Sequence, residues 1–150
     1  MNLKIRKARR TDSVALVNIE EKCFSYDRLN MKKFNHFIES NTSILLVLEI
    51  KGEVIGYALT LLRKGSKRAR IYSLCISLEF NGMGLGKKLF IEMVETLRKK
   101  RILKEAKLEV KVSNLGAIKL YESLGFKKID YKKEFYSDGT DAIVYLCHLK

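Results

Sequence analysis

The sequence predicts a mixed α/β domain of the α+β class, with seven strands and four helices in the order βααβββαβαββ. Three observations predict it. Apolar residues make up 47% of 150 residues, which suffices for a packed core at the size of one ordinary domain. Apolar spacing alternates along the chain between a period of two and a period near ~3.6. The breaks between these segments are short, with no proline and no linker-like or repetitive stretch. A single domain over residues 1–150 is the expectation, with a sheet of mixed direction and helices packed on it.

The elements follow in order. Leu3, Ile5 and Lys7 alternate with polar residues and predict a first strand. Thr11 or Asp12 caps a helix reaching about Phe24, with Val14, Leu16, Val17 and Ile19 at helical spacing. Asn30 caps a second helix that places Met31, Phe34, Phe37 and Ile38 on one side. Strands over Ser43–Ile50 and Glu53–Arg63 meet at Lys51-Gly52, a joint short enough for an antiparallel hairpin. A fourth strand, Arg70–Ser77, leads into a glycine-rich turn at residues 81–86 and a helix to about Lys100. Lys107–Val112 is the fifth strand. Asn114 caps a helix over Leu115–Leu124, which Gly125 stops. Strands over Lys127–Phe135 and Asp141–Leu149 flank a turn at Asp138-Gly139.

Charge narrows the partners. Thirty basic and seventeen acidic residues leave +13, and the middle third (residues 51–100) carries +7 of it. Twenty-one of the thirty are Lys. Lysine is a flexible point charge, whereas arginine is the fork that reads base edges. This surface fits an anionic cofactor, nucleic acid or a ribosomal neighbourhood, or simply solubilises the protein. Cys23, Cys75 and Cys147 are odd in number and far apart, and His36 and His148 add no ligand spacing, so no metal is expected. A reduced, cytoplasmic chain is the expectation. No apolar run follows the basic N-terminus, and none is long enough to cross a bilayer, so neither a signal peptide nor a membrane partner is expected.

The strongest local signal is Asn81-Gly82-Met83-Gly84-Leu85-Gly86-Lys87-Lys88-Leu89. Alternate glycines let the backbone approach a ligand closely. The first amides of a helix lack internal partners, and with the helix dipole they bind phosphate. Lys87 and Lys88 sit at the end of the helix that disfavours cations, at a cost of roughly 0.3–1 kcal/mol each. A nearby anion would justify both. The spacing is GxGxG, not GxGxxG, and Lys87 precedes Lys88 rather than Ser or Thr, so dinucleotide and P-loop readings fail.

A strand, this turn and a helix resemble the acetyl-CoA site of the GNAT acetyltransferase superfamily. The resemblance continues through Leu108-Glu109-Val110 and Asn114, Ala117, Leu120-Tyr121-Glu122 and Gly125-Phe126, and covers about residues 45–147. It is nearest to ribosomal-protein-alanine N-acetyltransferases. Asn81 stands where the family usually has Arg or Gln, and Leu78 where many members have Pro. The resemblance implies a central, mixed but mostly antiparallel seven-stranded sheet and acetyl-CoA as cofactor, with no metal. It implies that the amides from Gly82 to Lys87, through Met83, Gly84, Leu85 and Gly86, hold the pyrophosphate beside Asn81. The pantetheine arm would run along Leu74, Cys75 and Ile76 where the fourth and fifth strands splay, with Asn114, Ala117 and Tyr121 completing the cofactor site.

Amide formation needs a base, a polarised carbonyl and an acid for the departing thiolate. Tyr121 is the candidate acid, since a phenol with pKa ~10 keeps its proton at neutral pH. Glu109 is the candidate base, acting through water. It alternates with the apolar row Leu108, Val110 and Val112, and in a sheet covered on both faces such a carboxylate needs a task or a partner. The amide of Ile76 or a neighbour would polarise the carbonyl. Cys75 could form an acetyl-enzyme in principle, but its strand neighbours are apolar and no His lies nearby in the motif. Phe24, Tyr26 and Asp27 fall between the first two helices, where the superfamily shapes its acceptor site. Tyr136 and Asp138 lie in the opposite loop, and an aromatic and acidic lining suits a cationic amine.

An α-amine of pKa ~7.7–8.0 is roughly a tenth neutral at pH 7, whereas a Lys amine near ~10.4 is neutral about once in 2,500. This favours a protein N-terminus as acceptor, attacked directly in a ternary complex. A small amine such as a polyamine or aminoglycoside is a second reading, and a non-catalytic nucleic-acid or ribosome-binding module a third. Monomer and homodimer both remain open.

Overall fold

The computed structural model describes residues 2–150. Seven strands form one sheet: β1 (Leu3–Lys7), β2 (Ser43–Ile50), β3 (Glu53–Leu61), β4 (Arg68–Ile76), β5 (Glu105–Lys111), β6 (Lys127–Lys132) and β7 (Ala142–His148). Their spatial order is β1-β2-β3-β4-β5-β7-β6. Among neighbouring strands only β4 and β5 pair in parallel, joined by the crossover helix α3 (Leu85–Arg98). The other helices are α1 (Ser13–Cys23), α2 (Met31–Glu39) and α4 (Leu115–Ser123).

The sheet is covered on both faces. Leu46 and Leu48 of β2 join Phe90 and Met93 of α3 in one core, while Leu45 and Val47 join Leu16 of α1 and Phe34 of α2 in the other. A strand buried on both faces reads as a continuous apolar run, which is why β2 shows no alternation. The hairpin after β2 turns through Lys51 (φ 52°) and Gly52 (φ 82°), the conformation whose twist matches the strands.

Two expected helix starts behave differently. Asn30 caps α2 by accepting the Lys33 N–H at 2.9 Å. Asp12 stands at the N-cap of α1 but makes no side-chain cap. Its carboxylate is taken by a bidentate pair with Arg6 (2.9 and 3.0 Å) and by the Arg9 N–H (2.7 Å). A 3-10 turn over Arg10–Asp12 therefore precedes the helix. Several ends also shift. β3 stops at Leu61 rather than Arg63, because Leu62–Lys67 make the loop into β4. β4 and β5 begin two residues earlier than expected, at Arg68 and Glu105, where their parallel pairing starts. β6 stops at Lys132, short of Phe135, because Asp141 draws the chain into a turn by accepting the Glu134 N–H at 2.8 Å.

Candidate active site

The pairing of β4 with β5 lasts only from Arg68–Glu105 to Ile71–Leu108. Beyond that point β4 stays on β3 as far as Ile76, and β5 stays on β7 as far as Lys111. The two strands part and leave unpaired backbone on their facing edges. A bulge lies where they part: Leu59 faces Ser73 but Thr60 faces Ile71, so Tyr72 is an extra residue in β4. The bulge reverses the alternation of β4. Ala69 and Ile71 before it, and Leu74 and Ile76 after it, all reach the α3 face, and Cys75 reaches the α1 face.

The gap opens into a groove of about 330 Å³. Its wall includes Ser73 and Leu74 of β4, Gly86 of α3 and Glu109 of β5. Asn114, Ala117 and Tyr121 of the α4 region close the other side, and Phe24 and Tyr136 stand at its edge. Cys75 does not line it. That thiol is 5% exposed on the far face, where burial first and Cys23 second push its pKa well up, an environment opposite to that of a nucleophilic thiolate. Ile76 packs against the α3-side core, and its carbonyl accepts from Cys23 Sγ at 3.5 Å.

The turn after β4 lies at one end of this groove. Gly82 (φ 81°) and Gly84 (φ 74°) adopt the left-handed conformation, and a Cβ on either would meet nothing within 4 Å. Gly84 is the N-cap of α3 and offers no side-chain cap, so the first helical amides keep their hydrogens available. The first bond inside the helix is Lys88 N–H to Gly84 O at 3.2 Å. Leu85 is buried, while Asn81, Met83 and Lys87 are exposed around the turn. Gly86 sits inside the helix, where a Cβ would only touch Ile76 and Leu74 at 3.7 Å. Open backbone, free amides and flanking lysines fit a pyrophosphate at this place.

Glu109 is nearly buried, with 6% of its side chain exposed. Arg70 Nε donates to Oε1 at 2.9 Å, and its Nη2 stands 2.8 Å from the same oxygen. Lys107 Nζ stands 3.4 Å from Oε2, which is buried and accepts no hydrogen bond. The expected choice between task and partner thus has a partner on each side, in a residue that also faces the groove. Tyr121 packs on Phe90 (centroids 4.8 Å apart), with Phe126 and Tyr145 beyond it. Burial raises its pKa, which keeps the phenol protonated. Asn114 accepts the Ala117 N–H at 3.2 Å and so sets the start of the helix that carries Tyr121.

The two loops over the groove are tied to each other. Tyr26 O–H donates to Asp138 at 2.8 Å, and Ser137 O–H donates to Asp27. Lys111 Nζ reaches Asp138 at 3.1 Å, contacts the Tyr26 hydroxyl, and lies over the rings of Tyr26 (4.7 Å) and Tyr136 (5.3 Å). The aromatic and acidic lining expected for a cationic amine therefore already holds one cation of the chain itself. Hydrogen bonds from Thr140 first, then from Tyr26, with Lys111 adding, hold the Asp138 carboxyl well below the usual range. Burial first, and Glu109 next, push the Tyr136 phenol up to about 12. Arg70, Lys107, Lys111 and the bulge at Tyr72 were not legible as site features. The alternation of Lys107, Glu109 and Lys111 on one side of β5 was the available signal for the two lysines.

Residues 13–126 match the family model of the acetyltransferase (GNAT) family. The chain belongs to the GNAT acetyltransferase family. An N-alpha-acetyltransferase of Sulfurisphaera tokodaii is 28% identical over 93% of this chain and 89% of its own length. The catalytic subunit of the N-terminal acetyltransferase A complex of Arabidopsis thaliana is 30% identical over 92% of this chain and 73% of its own length. The ribosomal-protein-S18-alanine N-acetyltransferase of Escherichia coli superposes with a TM-score of 0.87 at 26% identity, covering 99% of this chain and 94% of that one. This GNAT chain is accordingly an acetyltransferase, with acetyl-CoA as the acetyl donor of its family. Among the described residues no three His, Cys, Asp or Glu gather as a metal set, and no helix is long and apolar enough to cross a membrane.

Proposed function

We propose that this GNAT enzyme acetylates the α-amine of a protein N-terminus by direct attack in a ternary complex. The observation that carries the reading is the parting of β4 and β5 at Ile71 and Leu108, with Glu109 and Tyr121 on the walls of the resulting groove and the uncapped start of α3 at its end. The names of the relatives support an N-terminal acceptor, including one on a ribosomal protein. The reducing cytoplasm suits three free thiols.

Acetyl-CoA supplies an acetyl group activated as a thioester. The amides from Gly82 to Lys87 hold its pyrophosphate, and the free edge of β4 at Leu74 to Ile76 orients its arm, as one more strand would pair. Glu109, fixed by Arg70 and Lys107, takes the amine proton through a water. The Ile76 amide or a neighbour on the open edge donates to the carbonyl oxygen as charge develops there. Tyr121 gives its proton to the departing sulfur. The burial of Cys75 argues against an acetyl-enzyme and for direct attack. A carboxylate is a weak base, which suits an α-amine better than a lysine amine. Phe24, Tyr26, Asp27 and Tyr136 shape the acceptor entrance.

Thiol release from acetyl-CoA, measured over a panel of acceptors, tests the reading. Peptides with a free N-terminus should turn over faster than N-terminally blocked peptides containing lysine, and faster than polyamines. The reverse order would make this a lysine or small-amine acetyltransferase.

A further inference from the structure

Seven exposed basic residues lie on two loops at the end of the sheet remote from the groove. There the β3–β4 loop, the α3–β5 loop and the C-terminus are bound into one surface. Lys104 N–H donates to Lys67 O at 2.8 Å, Leu149 N–H donates to Lys104 O at 2.8 Å, and Lys150 Nζ donates to the carbonyls of Lys100 and Leu103 at 2.6 and 2.7 Å. Arg63, Lys64 and Lys67 are exposed on the first loop. Lys99, Lys100, Arg101 and Lys104 are exposed on the second. Among the described residues none of these seven pairs with an acid. The acids nearby are spent on other arginines: Glu105 on Arg68, Glu95 on Arg98 and Glu39 on Arg10.

An open groove of about 650 Å³ cuts into the same surface. Lys7, Lys99 and Lys100 line it together with Ser40, Asn41 and Thr96. The C-terminal dipole of α3 accounts for cations at Lys99 and Lys100. It does not account for Arg63, Lys64 and Lys67, whose loop joins two strands and ends no helix. We infer that this surface binds the phosphodiester backbone of RNA.

A polymer with a negative charge on every nucleotide matches unpaired cations on two adjoining loops and a groove that carries Lys7, Lys99 and Lys100 in its wall. An anionic membrane would need apolar residues to insert, and Ile102, 54% exposed, is the large apolar residue exposed on these two loops. Five of the seven cations are lysines, so the contacts go to phosphates and the binding tolerates sequence. Helix α3 starts at the glycine turn and ends at Arg98, just before Lys99, and at 1.5 Å per residue it separates the two sites by about 20 Å. RNA and acetyl-CoA therefore bind without competing. The inference does not depend on which amine is acetylated.

Fluorescence anisotropy of the full chain with an end-labelled 20-nucleotide polyuridine tests it. Binding should weaken with salt, with a slope of log K against log[NaCl] of about −3 to −5 for four to seven phosphate contacts at about 0.7 each. The variant Lys64→Glu/Lys67→Glu/Lys100→Glu should lower that slope by about 2 and bind at least about tenfold more weakly at 0.1 M NaCl. A control of equal charge change, Lys4→Glu/Lys32→Glu/Lys33→Glu, should lose less than about threefold. Both variants should keep the circular dichroism of the parent and its acetylation of a short peptide, and saturating coenzyme A should not displace the RNA. Equal losses in the two variants would reduce the effect to net charge and overturn the site. Displacement by coenzyme A would move the RNA to the turn at Gly82–Gly84 and overturn it too. So would the absence of binding at 0.05 M NaCl, or binding of phosphatidylserine vesicles but not of RNA.

Discussion

At Glu109 one carboxylate fills a buried position on β5 and still faces the groove. Arg70 and Lys107 make that burial tolerable, and removing both would leave the carboxylate uncompensated in a poorly solvated place. If Glu109 is the base, Glu109→Gln should lower kcat by about 10²-fold or more, as the loss of a positioned proton acceptor does. Arg70→Met removes the group that fixes the carboxylate and should lower kcat in the same direction by a smaller factor. Turnover unchanged by both substitutions would show that Glu109 is not the base. Tyr121 gives an independent test. Positioned proton transfer contributes about 10²–10⁴-fold, so Tyr121→Phe should lower kcat by about 10²-fold or more, with coenzyme A affinity by calorimetry little changed. Equal turnover would leave the ring as packing against Phe90 and Phe126. Both residues were legible because the pattern around Asn114 and Tyr121 is local. The Arg70 partner was not, because it depends on a parallel register between strands 39 positions apart in the chain.

At the scale of elements, the sequence exposed what depends on neighbouring residues and hid what depends on pairing. The hairpin at Lys51-Gly52, the Asn30 and Asn114 caps and the glycine turn are local, and all stand where their residues put them. The bulge at Tyr72 is not local: a strict period of two would have set Leu74 opposite to Ile71, whereas both reach the same face. The entry to α1 is not local either, because Arg6 lies on β1. Asp12 and Glu20, at the start and inside of α1, carry opposite pH signatures. Burial alone would raise the Asp12 pKa, but bonds from Arg6 and Arg9 outweigh it and hold the group below its ordinary 3.8. Its contribution is therefore complete above pH 3.8 and fades as the pH falls through the folded value. Glu20 accepts the Leu29 N–H at 2.8 Å and the Tyr57 hydroxyl, yet burial dominates and lifts its pKa above 4.5. Its contribution is greatest below 4.5 and fades as the pH rises through the folded value. In urea titrations across pH, Asp12→Asn should lose its deficit against the parent below pH 3.8, while Glu20→Gln should gain on the parent above pH 4.5. Parallel curves would show that neither group titrates differently on folding. For the turn, Gly84→Ala carries the left-handed penalty of about 1–2 kcal/mol and should weaken coenzyme A binding. Calorimetry with unchanged affinity would remove the turn from the cofactor site.

Across the whole molecule the charges are divided by position. The acids of the loops over the groove, Asp27 and Asp138, bind Ser137, Tyr26 and Lys111 and hold that entrance together. The remote surface instead gathers seven cations that, among the described residues, pair with no acid, and folding brings its two loops together through the Lys104–Lys67 backbone bond. Like charges held close cost stability that the unfolded chain escapes by separating. Salt screens them: the Debye length falls from about 30 Å at 0.01 M to about 3 Å at 1 M. If repulsion outweighs the exposed pairs such as Arg68–Glu105 and Arg10–Glu39, added salt stabilises the fold. The melting temperature should then rise between 0.02 and 0.5 M NaCl, by about 3 °C for each kcal/mol relieved in a chain of this length. Lys64→Glu/Lys67→Glu/Lys100→Glu should melt higher than the parent at low salt and respond less to added salt. This result separates a strained surface from a merely solvated one: lysines far enough apart to ignore one another would leave both melting curves flat. A parent that melts lower in salt would place the net electrostatic gain in the ion pairs instead, and the crowding of cations at this end would then carry no cost for RNA to relieve.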